Sequence, residues 1–561
     1  MRAVTTTDGL TSSFRCCRSV LELFRDTAHK ALIYRGDLLR LNSAHFKVGG
    51  RFITENVLAV PDNLATAQAL TGLGFPVPSP MTADTYDWPC APGFRPRAHQ
   101  VVMANFQVLN PKAYNLSDMG AQKTLASLWA ADWLMLQHPG LQALIICPLS
   151  VMQRIWANNI FKHFLNRRRF RILYGDAAKR ERELDKPADF YIINPDGVGV
   201  GGKVHSEVLP NGRTVRRVVL SGFARSLRER SSIQLVIIDE ASCYKSQATN
   251  RHRIDRAVIA DRPYQWQLTG TPCASKPTDV HGLARMMGTD GGKSFTTLRS
   301  ETMFKRGTFK WIPKSDGYAK AYQLLKPSLR FAIEDVWDAP PLVTQPRDVT
   351  LTAAQLKAFS ELKRDFMAQI GAGTVTAINQ AAMRTKFLQV SAGMVYDQNR
   401  VAQPIDASTR VAVLKEIIDT APQQGKILVF AAFTAVIDML ARELADYSRA
   451  IVNGSVSQKA RTEIFRAFQE DEDPRIIVAD PGTMAHGLDL WRARVVAWYT
   501  PIDSTEEYLQ ANKRAHRPGQ TFPVSVVQLI SNKLEEEIFD ARENNTDDQN
   551  ILLDLVRSNM L

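Results

Sequence analysis

Gln510-Ala-Asn-Lys-Arg-Ala-His-Arg-Pro-Gly-Gln520 is the stretch of this sequence that most narrows its fold. A capping box predicts a helix that begins at Ser504, and the Pro518-Gly519 pair ends it. On such a helix Gln510, Arg514 and Arg517 follow the i, i+4, i+7 spacing and share one face. Two guanidiniums that point the same way predict an anion, such as a phosphate. The alternative is a solvated basic helix, although the stretch contains no acidic residue to pair with.

The run Gln234-Leu-Val-Ile-Ile-Asp-Glu-Ala-Ser242 predicts a short apolar strand that ends in two carboxylates, Asp239 and Glu240. Ligands bind at the carboxyl ends of strands in open parallel sheets. A carboxylate pair at this position can hold Mg²⁺ and orient a water molecule.

A third segment, Ala113-Tyr-Asn-Leu116 followed by Ser117-Asp-Met-Gly-Ala-Gln-Lys-Thr124, predicts a strand, a loop and the start of a helix. Backbone amides in such a loop, together with the helix dipole, cradle phosphates. Lys123 is expected to reach the outer phosphates, and we expect its side chain to face solvent until a phosphate arrives. The Thr124 hydroxyl is expected to touch a metal ion. An ordinary helix start is the alternative, because Gly120 is the only glycine inside the loop.

Taken in order along the chain, these elements resemble the helicase motifs of superfamily 2, and specifically the SNF2-type DNA translocases seen in compact form in bacteriophages and bacteria. The resemblance runs from about Phe94 to Glu537. Its other segments are Phe94-Arg-Pro-Arg-Ala-His-Gln100, Leu144-Ile-Ile-Cys-Pro-Leu-Ser150 with Trp156, Ile192-Ile-Asn-Pro195, Leu268-Thr-Gly-Thr-Pro272, Lys426-Ile-Leu-Val-Phe-Ala-Ala-Phe-Thr434 and Gly487-Leu-Asp-Leu490.

The resemblance implies an ATPase that uses ATP and Mg²⁺, and it assigns roles residue by residue. The catalytic residues would be Asp239, Glu240, Arg514 and Arg517. The nucleotide would be held by Gln100, which senses adenine, and by Gly120, Lys123, Thr124, Asp489 and Gln510. The metal would be held by Thr124 and Asp239, and hydrolysis would be coupled to movement by Thr269 and Thr271. One departure matters: Gln122 stands where the family has a glycine, so the loop must adopt its turn with a side chain attached.

The composition sets limits on the function. The chain has 561 residues, of which 45% are hydrophobic, and a formal net charge of +13. Its six cysteines include no Cys-x-x-Cys pair, so neither a zinc site nor a disulfide framework is predicted. The most apolar stretch is interrupted by polar residues, and the amino terminus has no apolar core region. We therefore expect a monomeric, cytoplasmic protein of a bacterial or phage-infected cell, neither secreted nor bound to a membrane.

Two basic segments predict contact with nucleic acid. One surrounds Arg167, Arg168 and Arg169, and the other contains a predicted hairpin over Val208–Val215 with a two-residue Asn-Gly turn. The residues expected to bind a phosphate backbone are Arg167, Arg168, Arg169, Arg213, Arg216 and Arg217. A solvated surface is the alternative for both segments.

The expected fold class is α/β, with two RecA-like lobes built on parallel sheets, a helical protrusion between them and a small α+β accessory domain at the amino terminus. In the accessory domain, Phe46–Ile53 is predicted as a strand and Asn63–Leu73 as a helix. The predicted domains are the accessory domain at 1–92, the first lobe at 93–290, a linker and helical protrusion at 291–400, the second lobe at 401–540 and a terminal helix at 541–561.

The sequence therefore predicts an ATP-dependent translocase that moves along double-stranded DNA. Two alternatives stay open. One is a DNA or RNA helicase that separates strands, with the basic hairpin as its wedge. The other is a clamp that binds nucleic acid but has lost hydrolysis.

Overall fold

The predicted apolar strands lie in two parallel sheets, one in each of two compact units. The structure is a computed structural model that describes residues 11–16, 19–212, 214–273, 276–306, 310–371, 377–397, 399–484 and 490–543. The first unit includes Pro277–Ala332, and the second begins its long continuous stretch at Ile333.

The first unit opens with a small α+β domain whose strands form one antiparallel sheet in the order β1-β2-β3-β5-β4. Its elements are β1 Thr11–Cys16, β2 Ser19–Asp26, β3 Ala31–Arg35, α1 Leu38–Val48, β4 Arg51–Thr54, β5 Val57–Pro61 and α2 Leu64–Gly72. The strand predicted over Phe46–Ile53 is wrong in its first half. Asp37 caps α1, and the helix continues until Gly49 ends it with a φ of 70°.

The first parallel sheet has seven strands in the order β16-β6-β13-β12-β7-β9-β8. Its strands and helices are α3 Ala98–Leu109, β6 Lys112–Asn115, α4 Lys123–Gln137, β7 Gln142–Ile146, α5 Leu149–Val151, α6 Asn158–Phe164, β8 Phe170–Leu173, α7 Ala177–Asp185, β9 Phe190–Ile193, α8 Pro195–Val198, β10 Lys203–Val208, β11 Thr214–Val219, α9 Gly222–Glu229, β12 Ile233–Asp239, α10 Asn250–Ile259, β13 Tyr264–Leu268, α11 Val280–Met287, α12 Phe295–Thr302, β14 Met303–Arg306, β15 Lys310–Pro313, α13 Gly317–Tyr322 and β16 Ser328–Leu329.

Both faces of this sheet are covered, which explains the unbroken apolar run before Asp239. In β12, Ile237 joins the apolar cluster on one face and Val236 joins the cluster on the other. A strand buried on both faces has no polar alternation. Its carboxyl end is therefore the first point at which charged side chains can be placed.

The second unit holds a parallel sheet of six strands in the order β17-β24-β23-β20-β22-β21. Its elements are α14 Ile333–Val336, β17 Leu342–Asp348, α15 Ala353–Gly371, α16 Ala377–Ser391, β18 Met394–Tyr396, β19 Ala402–Pro404, α17 Ser408–Thr420, β20 Lys426–Phe430, α18 Thr434–Glu443, β21 Arg449–Val452, α19 Gln458–Glu470, β22 Ile476–Ala479, β23 Ala493–Trp498, α20 Thr505–Ala515 and β24 Val524–Ile530.

The sheets place the ends of the lobes differently from the expected boundaries at 290 and 401. Strand β16 pairs in parallel with β6, so the chain up to Ala332 belongs to the first unit. Strand β17 pairs with β24, so the second sheet draws one strand from the segment expected to be a linker and protrusion. Because these edge strands are short or polar, a search for apolar patterns in the sequence does not detect them. Of the terminal helix expected at 541–561, residues 544–561 lie outside the described residues.

In the described part of the chain, no helix combines the length and the apolar character needed to cross a membrane.

Candidate functional site

The loop after β6 turns sharply into the helix that follows it. Strand β6 ends at Asn115, and α4 begins at Lys123. Gly120 has a φ of 91°. Gln122 has φ 57° and ψ 40°, a left-handed conformation that glycine adopts far more readily than other residues. The loop thus makes its turn with a side chain attached, and the buried Gln122 Oε1 has no hydrogen-bond partner among the described residues.

Lys123 is held by its own loop, so the expectation that its side chain faces solvent is wrong. Its Nζ donates to the carbonyl oxygen of Ser117 at 2.6 Å and to that of Asp118 at 3.0 Å. The loop curls back over the start of α4, which brings these carbonyls within reach of the ammonium. Any ligand of Lys123 must therefore compete with two carbonyl oxygens for its ammonium group.

Asp239 lies at the end of β12, and Glu240 follows it in a left-handed conformation with a φ of 52°. The Asp239 carboxylate accepts hydrogen bonds from Trp156 Nε1 at 2.8 Å and from the Glu240 amide at 3.1 Å. Burial, followed by the charge of Glu240, raises the pKa of Asp239 to about 6. The Trp156 hydrogen bond and the charge of Lys123 act in the opposite direction. Lys123 and Asp239 are therefore close enough to influence each other electrostatically.

The hydrogen bond from Trp156 to Asp239 is a contact within the site that the sequence did not predict. Trp156 lies in a π-helical turn, Met152–Ala157, and is fully buried. Such turns are rare and are frequent at functional sites, because the extra residue redirects a side chain. The sequence signal was the tryptophan within a matching motif, but no spacing rule connects it to a carboxylate far along the chain.

The loop between β6 and α4, residues 116–122, is called the phosphate loop below after its proposed role. Gln100 is buried beside it. Its Oε1 accepts from the Arg97 amide at 3.0 Å, and its Nε2 donates to the Gln122 carbonyl at a longer 3.5 Å. Thr124 lies in the first turn of α4 and is partly exposed. Gln100, Lys123 and Thr124 are thus gathered around one loop.

Thr269 and Thr271 flank the same loop on the side of β13. The Thr269 amide donates to Asn115 O at 3.1 Å, and the Thr271 amide donates to Thr269 Oγ1 at 3.0 Å. A side chain at Gly270 would stand 3.4 Å from the Met119 amide nitrogen, so the two segments are in close contact. A shift of the loop after β6 would therefore displace the segment Thr269–Thr271.

The arginine helix lies in the second unit. Ser504 caps α20 by accepting from the Glu507 amide at 3.2 Å, and Gln510 and Arg514 are buried on this helix. The prediction that Arg517 shares their helical face is wrong, because α20 ends at Ala515. Pro518 disfavours helical geometry at the residue before it. Arg517 instead folds back, and its Nε donates to the Lys513 carbonyl at 3.1 Å.

Asp489, expected to help hold the nucleotide, lies outside the described residues. The same is true of Arg213, one of the arginines expected to contact nucleic acid.

Two of the predicted nucleic-acid contacts, Arg167 and Arg168, are structural, which corrects that prediction. Both reach the fully buried carboxylate of Asp132, at 2.8 Å and 2.5 Å. Arg167 also pairs with Asp87, and Arg168 with Asp189. Their charge is needed inside the fold, because an unpaired buried carboxylate is costly.

Arg169 is exposed, as are Arg216 and Arg217 on the hairpin. The hairpin is formed by β10 and β11, and the last pair in its register is Val208 with Thr214. More than two residues therefore separate the paired strands, and the predicted two-residue turn is wrong. Pro210 precedes Asn211 and has no amide hydrogen to donate to a strand ladder. Arg217 pairs with Glu207 at 3.4 Å between two exposed side chains, a weak contact.

Arg253 on α10 is a further basic residue near the hairpin that the sequence reasoning missed. Burial, and then the positive charge of Arg216, lowers the pKa of its guanidinium. Helix α10 and the hairpin thus bring like charges together, an arrangement that favours an anionic partner.

Two family models match the chain. A model described as SNF2-related domain matches residues 116–396, and one described as helicase conserved C-terminal domain matches residues 409–519. The phosphate loop and the carboxylate pair lie within the first match, and the arginine helix lies within the second. Two RecA-like lobes with these motifs define an ATP-dependent helicase core. The chain belongs to the SNF2-related family, as the resemblance in its motifs predicted.

The chain is similar to several known proteins. It is 32% identical to ATP-dependent helicase fft2 of Schizosaccharomyces pombe over 23% of this chain and 10% of fft2. It is 24% identical to the human DNA annealing helicase and endonuclease ZRANB3 over 54% of this chain and 28% of ZRANB3. It is 22% identical to protein p41 of Acyrthosiphon pisum secondary endosymbiont phage 1 over 83% of this chain and 99% of p41. The chain thus spans about a tenth of fft2 and nearly all of p41.

Among solved structures, a Sulfolobus solfataricus SWI2/SNF2 ATPase core in complex with dsDNA matches 80% of this chain and 91% of its own, at 21% identity and a TM-score of 0.37.

Proposed function

We propose that this protein is an ATP-driven motor that moves along double-stranded DNA. The observation that carries the proposal is the convergence of Lys123, Asp239 and Glu240 beside one strand–loop–helix turn. A lysine and a carboxylate pair are the parts that phosphoryl transfer requires, and burial raises the pKa of one of the two carboxylates, that of Asp239. Gln100 lies against the same loop, where it would sense the adenine of the nucleotide.

The donor set fits Mg²⁺. This ion binds through one or two carboxylates together with substrate phosphates and waters, rather than in an all-protein cage. Asp239 and Thr124 would hold the ion, which when bound neutralises charge on the phosphate oxygens.

Each residue then has a defined task. Lys123 leaves the two carbonyl oxygens and holds the outer phosphates, and Glu240 orients the attacking water. Arg514 and Arg517 neutralise charge on the transferring phosphoryl group, because a preformed cation lowers the energy of that transition state. Gln510 and Asp489 would add contacts to the nucleotide, and Gly120 lets the loop approach the phosphates.

The proposed track is duplex DNA. The exposed Arg169, Arg216 and Arg217, together with Arg253, supply positive charge for a phosphate backbone. DNA appears in the name of the relative ZRANB3. Thr269 and Thr271 would pass the change at the phosphate loop to this track. We propose a monomer that works in the cytoplasm of a bacterial or phage-infected cell, in keeping with the match along nearly the whole of p41.

The hairpin is the observation that favours a second candidate, a helicase that parts the strands. It is exposed along most of both strands, and such an element can act as a wedge. The third candidate, a clamp without hydrolysis, draws on the left-handed Gln122, since a residue other than glycine in this conformation costs about 1–2 kcal/mol.

An ATPase assay with and without nucleic acid tests the proposal. We expect turnover that rises on addition of double-stranded DNA and less on addition of single-stranded DNA or RNA. Turnover that no nucleic acid stimulates would leave the clamp as the better description. Strong preference for single strands would favour the helicase.

A further inference from the structure

The phosphate loop is joined on its outer side to residues 327–331, which we call the strap. The strap contains β16 and continues beyond it. Every second backbone amide from β6 into the loop donates to a strap carbonyl: Tyr114 N to Pro327 O at 3.0 Å, Leu116 N to Leu329 O at 2.8 Å and Asp118 N to Phe331 O at 3.0 Å. The loop therefore begins as part of a parallel β-ladder, and the strap is its partner.

Side chains reinforce this ladder at the point where the loop turns. Ser117 Oγ accepts a hydrogen bond from the Phe331 amide at 3.0 Å. The Arg330 guanidinium pairs with Asp118 Oδ1 at 3.3 Å, and both side chains are 6% exposed. The Phe331 ring also lies 5.8 Å from the ring of His99, the neighbour of Gln100. A buried ion pair of this kind fixes one arrangement, because leaving either charge alone is unfavourable.

The same two loop residues hold Lys123. Its Nζ donates to the carbonyl oxygens of Ser117 and Asp118, while the Ser117 hydroxyl and the Asp118 amide and carboxylate contact the strap. A triphosphate that draws Lys123 away would remove the ammonium donor from both carbonyls, and the Asp118 carbonyl would keep its hydrogen bond from the Ala121 amide at 3.2 Å. Ser117 and Asp118 bind Lys123 on one side and the strap on the other. Loss of Lys123 would therefore change the hydrogen bonds and the ion pair that join these two residues to the strap.

The strap lies directly before the second unit along the chain. The first unit ends at Ala332, immediately after the strap, and Ile333 begins the long stretch of the second unit. We propose that the strap is a positioning element that passes the nucleotide state of the phosphate loop to the chain entering the second unit, with Arg330 as its positioning residue. The inference rests on the proposed function in one respect, that a triphosphate draws Lys123 from these carbonyls.

Hydrogen–deuterium exchange of the full-length chain, with and without a non-hydrolysable ATP analogue, tests the proposal. In the wild type we expect the analogue to protect the phosphate loop and to change exchange across 327–333. In Arg330→Gln the loop should still be protected, while the strap exchanges about tenfold faster and no longer responds to the analogue, in the usual range of coupling between sites. Arg330→Lys keeps the charge and should restore the response.

Turnover supplies a second measurement. Arg330→Gln should lower kcat for DNA-stimulated ATP hydrolysis by about tenfold and change KM for ATP by less than about threefold, because binding groups are untouched. Arg347→Gln is the matched control, since Arg347 forms an exposed pair with Glu416 in the second unit. It should change neither strap exchange nor turnover. If Arg330→Gln does not fold, Ser117→Ala removes the acceptor for the Phe331 amide and should likewise free the strap from the nucleotide.

Three results would overturn the inference. A strap in Arg330→Gln that responds to the analogue as in the wild type would show that the ion pair does not position it. Protection of the phosphate loop in the wild type without any response of the strap would remove the strap alone and leave the proposed function standing. No protection anywhere in the wild type would remove the proposed function and this inference together.

Discussion

Two residues with left-handed backbones, Gln122 and Glu240, mark the site at the scale of single side chains. Gln122 has a φ of 57° and Glu240 one of 52°, each directly beside the residue proposed to act on phosphate or metal. Backbone conformations of this kind are disfavoured and persist where the surrounding structure imposes them. Both residues directly adjoin Lys123 and Asp239, so their backbone conformations set the directions in which the proposed site residues leave the loop and the strand.

Lys123→Ala should abolish ATP turnover, with a loss of at least about 10²-fold in kcat as for other electrostatic donors. The fold should survive, because the hydrogen bonds of the lysine to Ser117 and Asp118 lie within its own loop. Steady-state ATPase kinetics and a thermal melt measure both effects. Lys112→Ala is the control, since that lysine binds the Met287 carbonyl and lies on the strand before the loop. Unchanged turnover in Lys123→Ala would remove the phosphate-loop assignment.

A second prediction concerns pH and the buried carboxyl group of Asp255. Burial raises the pKa of Asp255 to about 7, and its Oδ2 accepts from the Tyr244 hydroxyl at 2.6 Å. Oδ1 is buried with no hydrogen-bond partner in the described part of the chain. In the unfolded chain the carboxyl group ionises near 3.8, so the unfolded state loses its proton first. Stability contributed by the neutral carboxyl is therefore present near pH 4, falls as the pH rises towards 7, and then levels off.

Asp255→Asn should remove this dependence. The mutant and the wild type should melt at similar temperatures near pH 4, and at pH 8 the mutant should melt a few °C higher. Melting curves at several pH values measure the difference, with the exposed Asp185→Asn as control. A gap between mutant and wild type that stays constant with pH would contradict the assignment.

The sequence predicts the residues of the site better than their contacts. Asp239, Glu240, Lys123 and Gln100 stand in motifs with a physical rationale, and the structure gathers them in one unit. The bond from Trp156 to Asp239 and the hold of Ser117 on Lys123 depend on side-chain directions that periodicity does not encode. Arg167 and Arg168 were misjudged for the same reason, because a basic run does not reveal which charges have buried partners.

At the scale of elements, helix α20 illustrates what a local signal can and cannot predict. The capping box at Ser504 predicted its start, which hydrogen bonding at the cap reproduces. Its end was placed too late, because the effect of Pro518 on the preceding residue stops the helix before the proline itself. The edge strands β16 and β17 escaped prediction because their pairing partners lie far along the chain.

Arg517→Ala should lower ATP hydrolysis by about 10³-fold or more while ATP binding stays measurable, in the range of arginine fingers. Arg514→Ala should have a similar effect, although Arg514 is buried and its replacement also needs a folding check. Single-turnover hydrolysis and a nucleotide-binding assay separate the two steps. Lys513→Ala, on the same helix, should keep full turnover. Loss of DNA binding with full basal ATPase in Arg517→Ala would mean that this segment faces nucleic acid.

The hairpin and the Asp132 cluster should respond in opposite ways to removal of arginines. The double variant Arg216→Ala with Arg217→Ala should bind DNA with a weaker salt dependence. The slope of log K for DNA binding against log salt should become less steep by about 0.9 for each duplex-DNA phosphate contact that is lost. Arg167→Ala with Arg168→Ala should leave that slope unchanged and lower stability by roughly 3–5 kcal/mol, because Asp132 is then buried without its partners. DNA titrations at several salt concentrations and denaturant melts provide the two measurements. An unchanged slope in the hairpin variant would return the hairpin to a solvated surface.

At the scale of the whole molecule, each unit contains one parallel sheet covered by helices, and the first unit adds the antiparallel sheet of the amino-terminal domain. The proposed movement along DNA would require both units to respond to the nucleotide, and the proposed role of residues 327–333 would supply that response.

The last prediction decides between a translocase and a helicase that separates strands. If both strands stay in one groove, ATP should drive displacement of the third strand from a triplex, and forked duplexes should separate poorly. The hairpin is the element that could part them, so the informative variant replaces residues 209–213 with a two-residue Asn-Gly turn and keeps β10 and β11 paired. Triplex displacement and fork unwinding, measured side by side at equal ATPase rates, give the answer. We expect the variant to displace the third strand as well as the wild type does. Efficient unwinding by the wild type that disappears in the variant, with ATPase retained, would instead make the hairpin a wedge and the protein a strand-separating helicase.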